Sequence, residues 1–406
     1  MAQNASSIET LSGEYTFPKL EKVIFGPGSV ARLAEQADRL GGRRAFIITG
    51  NTLANKTDLV DRVRSVLGSR CAGVYSGSKQ HVPREAVLEA AEQARSAGAD
   101  LLISFGGGSP VDLAKMVALC LAQNVRNETE LDAYRIRFQY PDRVDIPAVP
   151  NVSVPQIAVT TTLSAGEFTA FAGCTDPVRQ AKDLYYAEHL NPKVCILDPE
   201  MTVATPSWLW GSTGVRSIDH CVEEVYSRVH QPFADALALR ALAMLFDYLP
   251  RASAEPDNLA ARGQCQVAAW MAVYSLPSVQ VGLSHGIGHQ LGARCNVPHG
   301  VTSCIMLPVV MDFNRPVTAD RQALLAPSMG VDTRGLSDEE AATAAANNLR
   351  ALVRELGIKD RLSDWGVTEA DLPGIAADAL EDLVVATNPR PVTSTERVVE
   401  LLRRVL

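Results

Sequence analysis

Short runs of apolar residues alternate with stretches of helical spacing through the first half of the chain. Five runs have the length and apolar character of buried strands in a parallel sheet: residues 44–49, 72–75, 101–105, 156–162 and 194–197. Between them, stretches such as 82–97 repeat apolar residues at the period of an α-helix. This alternation predicts a Rossmann-like α/β domain built on a doubly wound parallel sheet.

The second half of the chain has a different pattern. From Pro206 onward alanine and leucine dominate, and no strand-like runs stand out. Helical periods are clearest at residues 234–249, 259–274 and 339–356. We therefore expect two domains with a boundary near residue 200, an α/β nucleotide-type domain over 1–199 and an all-helical domain over 200–406.

Composition and charge narrow the class of protein. The 406 residues carry a formal net charge of −8, which argues against binding to nucleic acid or to an anionic membrane surface. No apolar run reaches the length of about 18 residues that a transmembrane helix needs, and the N-terminus lacks the features of a signal peptide. The eight cysteines are scattered without a C-x-x-C pair, which favours reduced thiols. We expect a cytoplasmic enzyme.

The third strand run leads directly into the turn Gly106-Gly107-Gly108-Ser109, ahead of a helix predicted over 112–121. Glycine lets the backbone approach a ligand closely, and a helix start offers free N–H groups, so the turn is a candidate phosphate site. It is not the Gly-x-Gly-x-x-Gly pattern of dinucleotide-binding proteins. A plain strand-to-helix turn therefore remains an equal interpretation.

A second candidate for cofactor contacts follows the fourth strand run. Residues 160–169 contain several hydroxyl side chains that could bond ribose or phosphate oxygens. The alternative is that the β-branched threonines simply complete a strand. Lys182 could add a positive charge, although a single lysine is usually solvated.

Histidines cluster in the second half of the chain. Three of the seven lie within residues 282–300, and His220 ends another marked segment. Histidine binds metals and carries protons near neutral pH. His285 and His289 are four residues apart and share one helix face, whereas His299 lies between Pro and Gly, as at a helix start. Three other histidines belong to no motif and are expected at the surface or in the core: His81, His189 and His230.

Taken together, these segments resemble the iron-containing (group III) alcohol dehydrogenases and their relatives, the maleylacetate reductases. The resemblance covers nearly the whole chain and rests on segments in the family's order: Phe25 to Gly28, Phe105 to Lys115, Thr161 to Glu167, Leu197 to Glu200, Gly214 to His220 and Gly282 to Gly300. It implies a dehydroquinate synthase-like architecture, in which an α/β domain precedes an all-helical domain that carries the histidines. It also implies a nicotinamide cofactor bound between the domains, hydride transfer to a carbonyl or activated double bond, and a homodimer or higher homo-oligomer.

The resemblance also implies cofactor contacts. The glycine turn falls where the family cradles the pyrophosphate, and the hydroxyl segment falls where it contacts ribose and phosphates, which gives the candidates Gly107, Gly108, Ser109, Asp112, Thr161, Thr162 and Lys182. Many members carry an acidic residue after the first strand, where this chain has Gly50 followed by Asn51. Without a carboxylate to repel a 2′-phosphate, NADP(H) is an alternative to NAD(H).

Metal-dependent members of the family bind iron or zinc with one aspartate and three histidines. His220, His285 and His299 fall on the three histidine positions, but the aspartate position holds Arg216. A guanidinium has no lone pair for a cation and repels it. Asp219 projects about 100° around the helix from His220 and is no simple substitute. A metal-free site is therefore favoured, although three histidines alone hold zinc in other proteins.

Two subfamilies are suggested by different segments. The maleylacetate reductases also lack the aspartate, and the spacing from Thr161 to Glu167 is theirs. The segment from Gly282 to Ala293 and the segment from Pro298 to Val301 look more like the alcohol dehydrogenases. The sequence therefore leaves open which of the two subfamilies the chain is nearer.

The expected reaction needs positive charge beside a developing alkoxide. Without a metal, Arg216 and protonated histidines, His220 and His285 among them, could supply it, and Arg216 could instead clamp a substrate carboxylate. His289 falls where the family places a histidine near the nicotinamide, and is the candidate for proton transfer. We therefore predict an NAD(P)-dependent reductase for a small, carboxylate-bearing carbonyl or enone-acid substrate.

Three alternatives stay open. The first is a metal-dependent alcohol dehydrogenase in which a water or another side chain replaces the aspartate. The second is a cofactor-binding protein that has lost catalysis. In the third, Arg216 is only a structural ion-pair partner for Asp219 or Glu223.

Overall fold

The computed structural model describes residues 13–139, 142–179 and 181–406. Within these ranges the strands are β1 (Lys22–Phe25), β2 (Ala45–Gly50), β3 (Cys71–Ser78), β4 (Leu101–Gly106), β5 (Arg137–Gln139), β6 (Arg143–Asp145), β7 (Gln156–Thr160), β8 (Phe171–Asp176), β9 (Ala181–Tyr186) and β10 (Val194–Leu197). The helices of the first half are α1 (Leu33–Arg39), α2 (Asn51–Lys56), α3 (Leu59–Leu67), α4 (Arg84–Ser96), α5 (Gly108–Gln123) and α6 (Glu128–Leu131).

The second half is helical from Ser207 onward. Its helices are α7 (Ser207–Val225), α8 (Pro232–Ala254), α9 (Leu259–Val273), α10 (Leu283–Cys295), α11 (His299–Ala323), α12 (Leu325–Ser328), α13 (Asp338–Glu355), α14 (Leu372–Leu380), α15 (Leu383–Ala386) and α16 (Thr395–Arg403). The sequence also explains where two of them begin. Pro232 occupies the first turn of α8, and Ser337 and Glu340 form a capping box at α13. None of the helices in the described part of the chain is long and apolar enough to cross a membrane.

Six strands form one parallel sheet in the order β1-β10-β7-β4-β2-β3. The predicted strand runs are confirmed as β2, β3, β4, β7 and β10. Four of them could be recognised from the sequence because a strand covered on both faces is continuously apolar. Together with the helical second half, this sheet confirms the predicted fold class. The half-buried β3 is longer than its predicted run, since polar residues interrupt its apolar pattern.

The winding of the sheet marks where a ligand is expected. From β2 the chain moves outward to β3, and it then returns to place β4 on the other side of β2. In doubly wound sheets, ligands bind at the carboxyl ends of the strands where the winding reverses. Gly50 ends β2 and Gly106 ends β4, so both border this position.

Helix α5 begins earlier than predicted. The sequence suggested a start near residue 112, but the helix starts at Gly108, with Gly107 as its N-cap. Glycine and Pro110 made the segment read as a turn, yet proline is well tolerated in a first helical turn, where its missing N–H is not needed. Gly108 and Ser109 are therefore the first helical residues and not part of a preceding loop.

The two halves of the chain share a continuous apolar core. One buried cluster contains Val111 of α5 and Ala158 of β7 together with Val215 and Ile218 of α7. Helix α7 packs against α8 and α11, and α11 packs against α10. The boundary predicted near residue 200 falls between β10 and α7 and stays a prediction.

Candidate active site

The loops after β4 and β7 lie side by side at the carboxyl ends of their strands. The Thr161 amide donates to the Gly106 carbonyl over 2.9 Å. A Cβ at Gly107 would lie 3.0 Å from Thr162 Cγ2, and one at Gly108 would lie 2.9 Å from Ser164 Oγ. The loop after β7 belongs to the hydroxyl-rich segment 160–169 and is called the hydroxyl loop. Glycine thus allows the hydroxyl loop to approach the first turn of α5, whose N–H groups lack intrahelical partners. This arrangement fits a phosphate bound between the two loops.

Asp112 and Lys182 lie beside this turn. Asp112 Oδ2 accepts a hydrogen bond of 3.2 Å from the Gly173 amide of β8, and Lys115 Nζ lies 3.7 Å from Asp112 Oδ1. The Lys182 side chain crosses Gly173 closely, since its Cε lies 2.1 Å from where a Cβ would be. Burial lowers the pKa of Lys182, while the charge of Asp112 acts in the opposite direction. Asp112 therefore anchors β8, and its predicted contact with the cofactor stays a prediction.

The hydroxyl loop is fixed to helix α7. The Leu163 amide donates to Thr213 Oγ1 over 3.1 Å, and Ser217 Oγ donates to the Leu163 carbonyl over 2.6 Å. Arg216 lies between these two contacts in the sequence, and His220 follows one turn later. The predicted cofactor loop is therefore held in a defined position relative to both side chains.

Helix α7 presents one polar stripe. Its members recur at helical spacing and are all buried: Arg216, Asp219, His220 and Glu223. The apolar residues Val215, Ile218 and Val222 lie in the core cluster on other faces of the helix. Buried charges cost several kcal/mol each unless they are paired, so the contacts of this stripe decide its chemistry.

Only one nitrogen of the Arg216 guanidinium, NH1, has partners among the described residues. Its NH1 donates to Ser303 Oγ over 3.1 Å and lies 3.6 Å from Asp219 Oδ2. Nε and NH2 have no hydrogen-bond partner among the described residues. Burial lowers the pKa of Arg216, and the carboxylates of Asp219 and Glu223 counteract this, but a guanidinium stays protonated in proteins. The site therefore contains a permanent cation with unused donors.

His285 is held by carboxylates of α7. Its Nδ1 lies 2.7 Å from Glu223 Oε2 and 3.5 Å from Asp219 Oδ1. Burial and Arg216 act to lower the pKa of His285, but the two carboxylates outweigh them and raise it. Its Nε2 has no partner among the described residues. Glu223 is itself fixed, because it also accepts from the amides of Gly282 and Ser284 over 2.6 and 2.9 Å.

His289 lies one turn further along α10 and has a different carboxylate. Its Nδ1 lies 2.7 Å from Asp382 Oδ2, which also accepts from Gln290 Nε2 over 3.1 Å. The ring stacks on His299 with a centroid distance of 5.4 Å. Burial lowers the pKa of His289; Asp382 opposes this shift, and the charges of Lys182 and Arg216 add to it.

The remaining candidate histidines complete one electrostatic neighbourhood. The rings of His220 and His285 lie 4.6 Å apart between centroids. Burial holds the pKa of His220 well below its usual value, and the charges of His285 and Arg216 act in the same direction. Burial does the same for His299, together with the charges of Arg216, Lys182, His289 and His285. The structure thus brings together all of the predicted catalytic side chains.

These residues do not make up the family's four-ligand metal site. In the described chain, one cluster that brings three potential ligand atoms within 4.8 Å of one another contains Asp219, Glu223 and His285, and neither His220 nor His299 belongs to it. The ligand oxygens of Glu223 are already engaged by backbone amides. The position one turn before His220 holds the Arg216 cation. The residues present therefore do not fit the family's aspartate-and-three-histidine metal site.

Sequence reasoning missed several residues of the site. Asp382 lies 93 positions from His289, and Ser303 lies 87 positions from Arg216, so no local pattern connects them. Glu223 was considered only as a partner for Arg216, yet it binds His285. His81, which was expected at the surface or in the core, has its ring against α10 at Gly292. Of these residues, only Glu223 could have been found from the sequence, because its spacing from Arg216 and Asp219 places it on the same helix face.

Comparison with known protein families agrees with this geometry. A sequence model described as iron-containing alcohol dehydrogenase matches residues 20–199, and one for the C-terminal part of the Fe-containing alcohol dehydrogenase family matches residues 211–406. The two matches together span most of the chain and include every site residue named above.

Characterised relatives extend over nearly the whole chain. Lactaldehyde reductase of Escherichia coli (strain K12) is 33% identical over 387 residues, which cover 94% of this chain and 97% of that protein. Maleylacetate reductase 1 of Cupriavidus pinatubonensis is 28% identical over 375 residues, which cover 92% of each chain. Relatives of both subfamilies are therefore similar to this chain.

Solved structures show the same two similarities. A 1,3-propanediol oxidoreductase has a TM-score of 0.88 at 27% identity, with 98% of this chain and 100% of that chain covered. The maleylacetate reductase from Rhizobium sp. strain MTP-10005 has a TM-score of 0.77 at 27% identity, with 98% of each chain covered. The predicted family and the predicted oxidoreductase class are both confirmed. The chain belongs to the iron-containing alcohol dehydrogenase family.

Proposed function

We propose that this protein uses NAD(H) or NADP(H) to reduce a small carbonyl or enone acid that carries a carboxylate, without a metal ion. The observation that supports this proposal best is Arg216. It is a buried cation at the family's aspartate position, and part of its guanidinium has no partner among the described residues. A substrate carboxylate would satisfy these donors in the bidentate geometry that arginine favours.

Arg216 and Lys182 place two positive charges on the same side of the site. The charges of Arg216 and Lys182 both lower the pKa values of His289 and His299, so the two cations lie close to the same rings. Asp219 lies 3.6 Å from Arg216 NH1, but Asp219 and Glu223 also bind His285, Ser284 and backbone amides. An anionic substrate group would therefore reduce the unfavourable charge density that a neutral alcohol would leave in place.

The residues of the glycine turn and the hydroxyl loop would hold the cofactor. Gly107, Gly108 and Ser109 would bind its pyrophosphate through the start of α5, and Thr161, Thr162 and Lys182 would contact its ribose and phosphates. When bound, the nicotinamide supplies two electrons and one hydrogen to the substrate carbon as a hydride. The chain's own residues must then neutralise the developing negative charge and deliver one proton.

Two histidines divide this task in our proposal. His289, oriented by Asp382, is the candidate for proton transfer to the substrate oxygen or to the adjacent carbon of an enone. His285, oriented by Glu223, places its Nε2 in the same cluster and stabilises negative charge as it develops. Arg216 orients the substrate through its carboxylate, so that hydride and proton reach defined atoms.

The choice between the two nicotinamide cofactors has its own test. Gly50 ends β2 at the switch point, and a Cβ there would come no closer than 3.8 Å to a neighbour. Gly50→Asp should therefore fold normally and place a carboxylate where it repels a 2′-phosphate. We expect the ratio of kcat/KM for NADPH to that for NADH to fall by about tenfold. Gly50→Ala is the matched control and should leave the ratio unchanged.

One observation favours a metal-dependent alcohol dehydrogenase as the second candidate. His285 has a free Nε2 and a carboxylate on Nδ1, which is the arrangement that usually orients a metal-bound histidine. About one iron or zinc per chain, with activity lost to a chelator, would select this candidate.

Matched substrates test the favoured proposal. Each pair should share one carbonyl and differ only in carrying a carboxylate or its amide. Because a charge-assisted pair with Arg216 is lost with the amide, we expect kcat/KM to be higher for the acid by about 100-fold. Equal values for acid and amide would contradict the proposed substrate class.

The predicted homodimer or higher oligomer can be checked on the same preparation by light scattering.

A further inference from the structure

A strained turn between β3 and α4 lies against the active site. His81 and Val82 both have positive φ angles, +62° and +51°. Few residues with a side chain adopt this conformation, and for a β-branched valine it is a genuine outlier. Such strain persists only where neighbouring contacts hold it in place, and it is concentrated at functional sites.

Two hydrogen bonds tie the turn to the β8–β9 hairpin. Thr175 Oγ1 donates to the His81 carbonyl over 2.7 Å, and the Thr175 amide donates to the Val82 carbonyl over 2.9 Å. Thr175 on β8 is the direct cross-strand partner of Lys182 on β9. The position of His81 is therefore coupled to the strand pair that carries Lys182.

The His81 ring contacts helix α10 on its other side. A Cβ at Gly292 would lie 2.8 Å from His81 Cε1 and 3.2 Å from Nδ1, so the ring occupies the space that a larger residue there would need. Gly292 lies three residues after His289, on the same face of α10. His81 is thus wedged between the hairpin of Lys182 and the helical turn that follows His289.

The protonation state of the His81 ring allows it to lie beside a cation. Burial lowers the pKa of His81 to about 4, and the charge of Lys182 acts in the same direction, so the ring is neutral at neutral pH. A neutral ring can lie beside Lys182, whereas a cation there would push the lysine away. Its Nε2 lies 2.9 Å from Gln80 Nε2, which further orients the ring.

We propose that His81 is a positioning residue that sets the distance between Lys182 and the histidines of α10. It thereby fixes the dinucleotide, held on one side by Lys182, against His289 on the other. This inference rests on the proposed function, because it requires a nicotinamide cofactor between β9 and α10. His81 contacts neither the reacting atoms nor the hydride in this account, and acts through Lys182 and α10.

A double-mutant cycle across the contact tests the proposal. The variants are His81→Ala, Gly292→Ala and both together. The readouts are the Kd for NADH and NADPH by fluorescence titration, kcat, and the melting temperature. Each single variant should raise the Kd of the preferred dinucleotide and lower kcat by about tenfold. The double variant should be no worse than His81→Ala, because the added methyl group then meets no ring.

Two further variants separate the ring from its surroundings. Gly263→Ala adds a methyl group in α9 with no neighbour closer than 3.8 Å and should change none of the readouts. His81→Asn keeps a residue type that tolerates positive φ but removes the ring. It should therefore behave like His81→Ala in dinucleotide binding, even where it restores the melting temperature.

The outcomes distinguish this inference from the proposed function. If the single variants lower the melting temperature and leave dinucleotide Kd and kcat unchanged, His81 only packs, and the inference is wrong. A His81→Asn variant that matches the unmodified protein in Kd would also overturn it. If the unmodified protein binds neither NADH nor NADPH, the proposed function fails first, and that result is visible without any variant.

Discussion

The two histidines of α10 lie at the same distance from a carboxylate, but their pKa values are shifted in opposite directions. His285 and His289 each place Nδ1 2.7 Å from a carboxylate, Glu223 in one case and Asp382 in the other. Yet the pKa of His285 is raised and that of His289 is lowered. A carboxylate at hydrogen-bond distance is therefore not enough to decide the charge of a buried imidazole.

The difference comes from the surrounding groups. Burial disfavours the charged form of both rings. At His285 a second carboxylate, Asp219, lies 3.5 Å from Nδ1, and together with Glu223 it outweighs burial and the charge of Arg216. His289 has Asp382 alone, and the charge of Lys182 adds to that of Arg216, which lowers the pKa of both histidines. The comparison supports a division of work in which His285 carries positive charge and His289 exchanges a proton while mostly neutral.

The largest expected effect follows from replacing Arg216, the cation that acts on both His285 and His289. Arg216→Asp removes the proposed carboxylate clamp and puts a third acid beside Asp219 and Glu223. We expect kcat/KM for the acid substrate to fall by about 1000-fold, since both orientation and charge are lost. Steady-state kinetics on the acid and its amide measure it, and the amide should lose less. An increase in activity with the acid would contradict this account.

Arg216→Asp also offers a readout that does not depend on activity. Unpaired buried acids destabilise the fold, and a divalent cation would relieve them. The melting temperature of the variant should therefore rise when zinc is added, as linkage requires for a ligand that binds only the folded state. The unmodified protein is the control and should respond less. An equal response in both proteins would show that Arg216 does not control cation binding.

A smaller effect is expected at the His285 pair. Because the folded-state pKa of His285 is raised, the stability from its charged form is complete below about pH 6.5 and is lost as the pH rises through the folded value. Glu223→Gln removes a negative charge and lowers that pKa. Activity should fall by about 100-fold on the alkaline side, with the alkaline limb of the kcat/KM profile at lower pH. An unchanged limb would contradict a catalytic charge on His285.

The matched change at the other pair sharpens the comparison. Asp382→Asn removes the charge beside His289 but leaves the surroundings of His285 intact. We expect kcat to fall by about tenfold, because His289 loses its orientation and a charge that raises its pKa, while the pKa of His285 stays in place. Proton NMR titration of the histidine rings, done for both variants in the same buffers, checks this. If Asp382→Asn lowers the pKa of His285 and Glu223→Gln does not, the assigned roles are reversed.

The smallest expected effect concerns Lys182. Lys182→Met removes a charge that lowers the pKa values of His289 and His299 and is not among the main influences on the pKa of His285. The first two pKa values should rise and the third should stay the same. Proton NMR titration of the histidine rings measures the shifts without substrate. A change confined to His285 would show that the site is arranged differently.

The sequence predicts the framework of the fold well because burial dictates composition. β10 was predicted with its observed bounds, Val194–Leu197, since a strand covered on both faces is apolar throughout. The start of α5 was missed, because glycine and proline favour turns in isolation, whereas Gly108 is helical and lies against Ser164 of the hydroxyl loop. Tertiary contacts override local propensity at that position.

The site was predictable only where local spacing carries it. His285 and His289 are recognisable because they lie four residues apart on one helix face. Asp382, which orients His289, comes from a helix end 93 residues away, and no periodicity points to it. The difference in charge between the two histidines was equally hidden, since it depends on Asp219, Lys182 and Arg216 converging in space.

Metal analysis combined with kinetics tests the central claim most directly. The protein should be purified without chelator, assayed for iron and zinc by mass spectrometry, and then assayed for reduction of the acid substrate before and after dialysis against a chelator. We predict far less than about one metal ion per chain and activity that survives dialysis. About one iron or zinc per chain, together with activity that is lost on dialysis and restored by that metal, would contradict it.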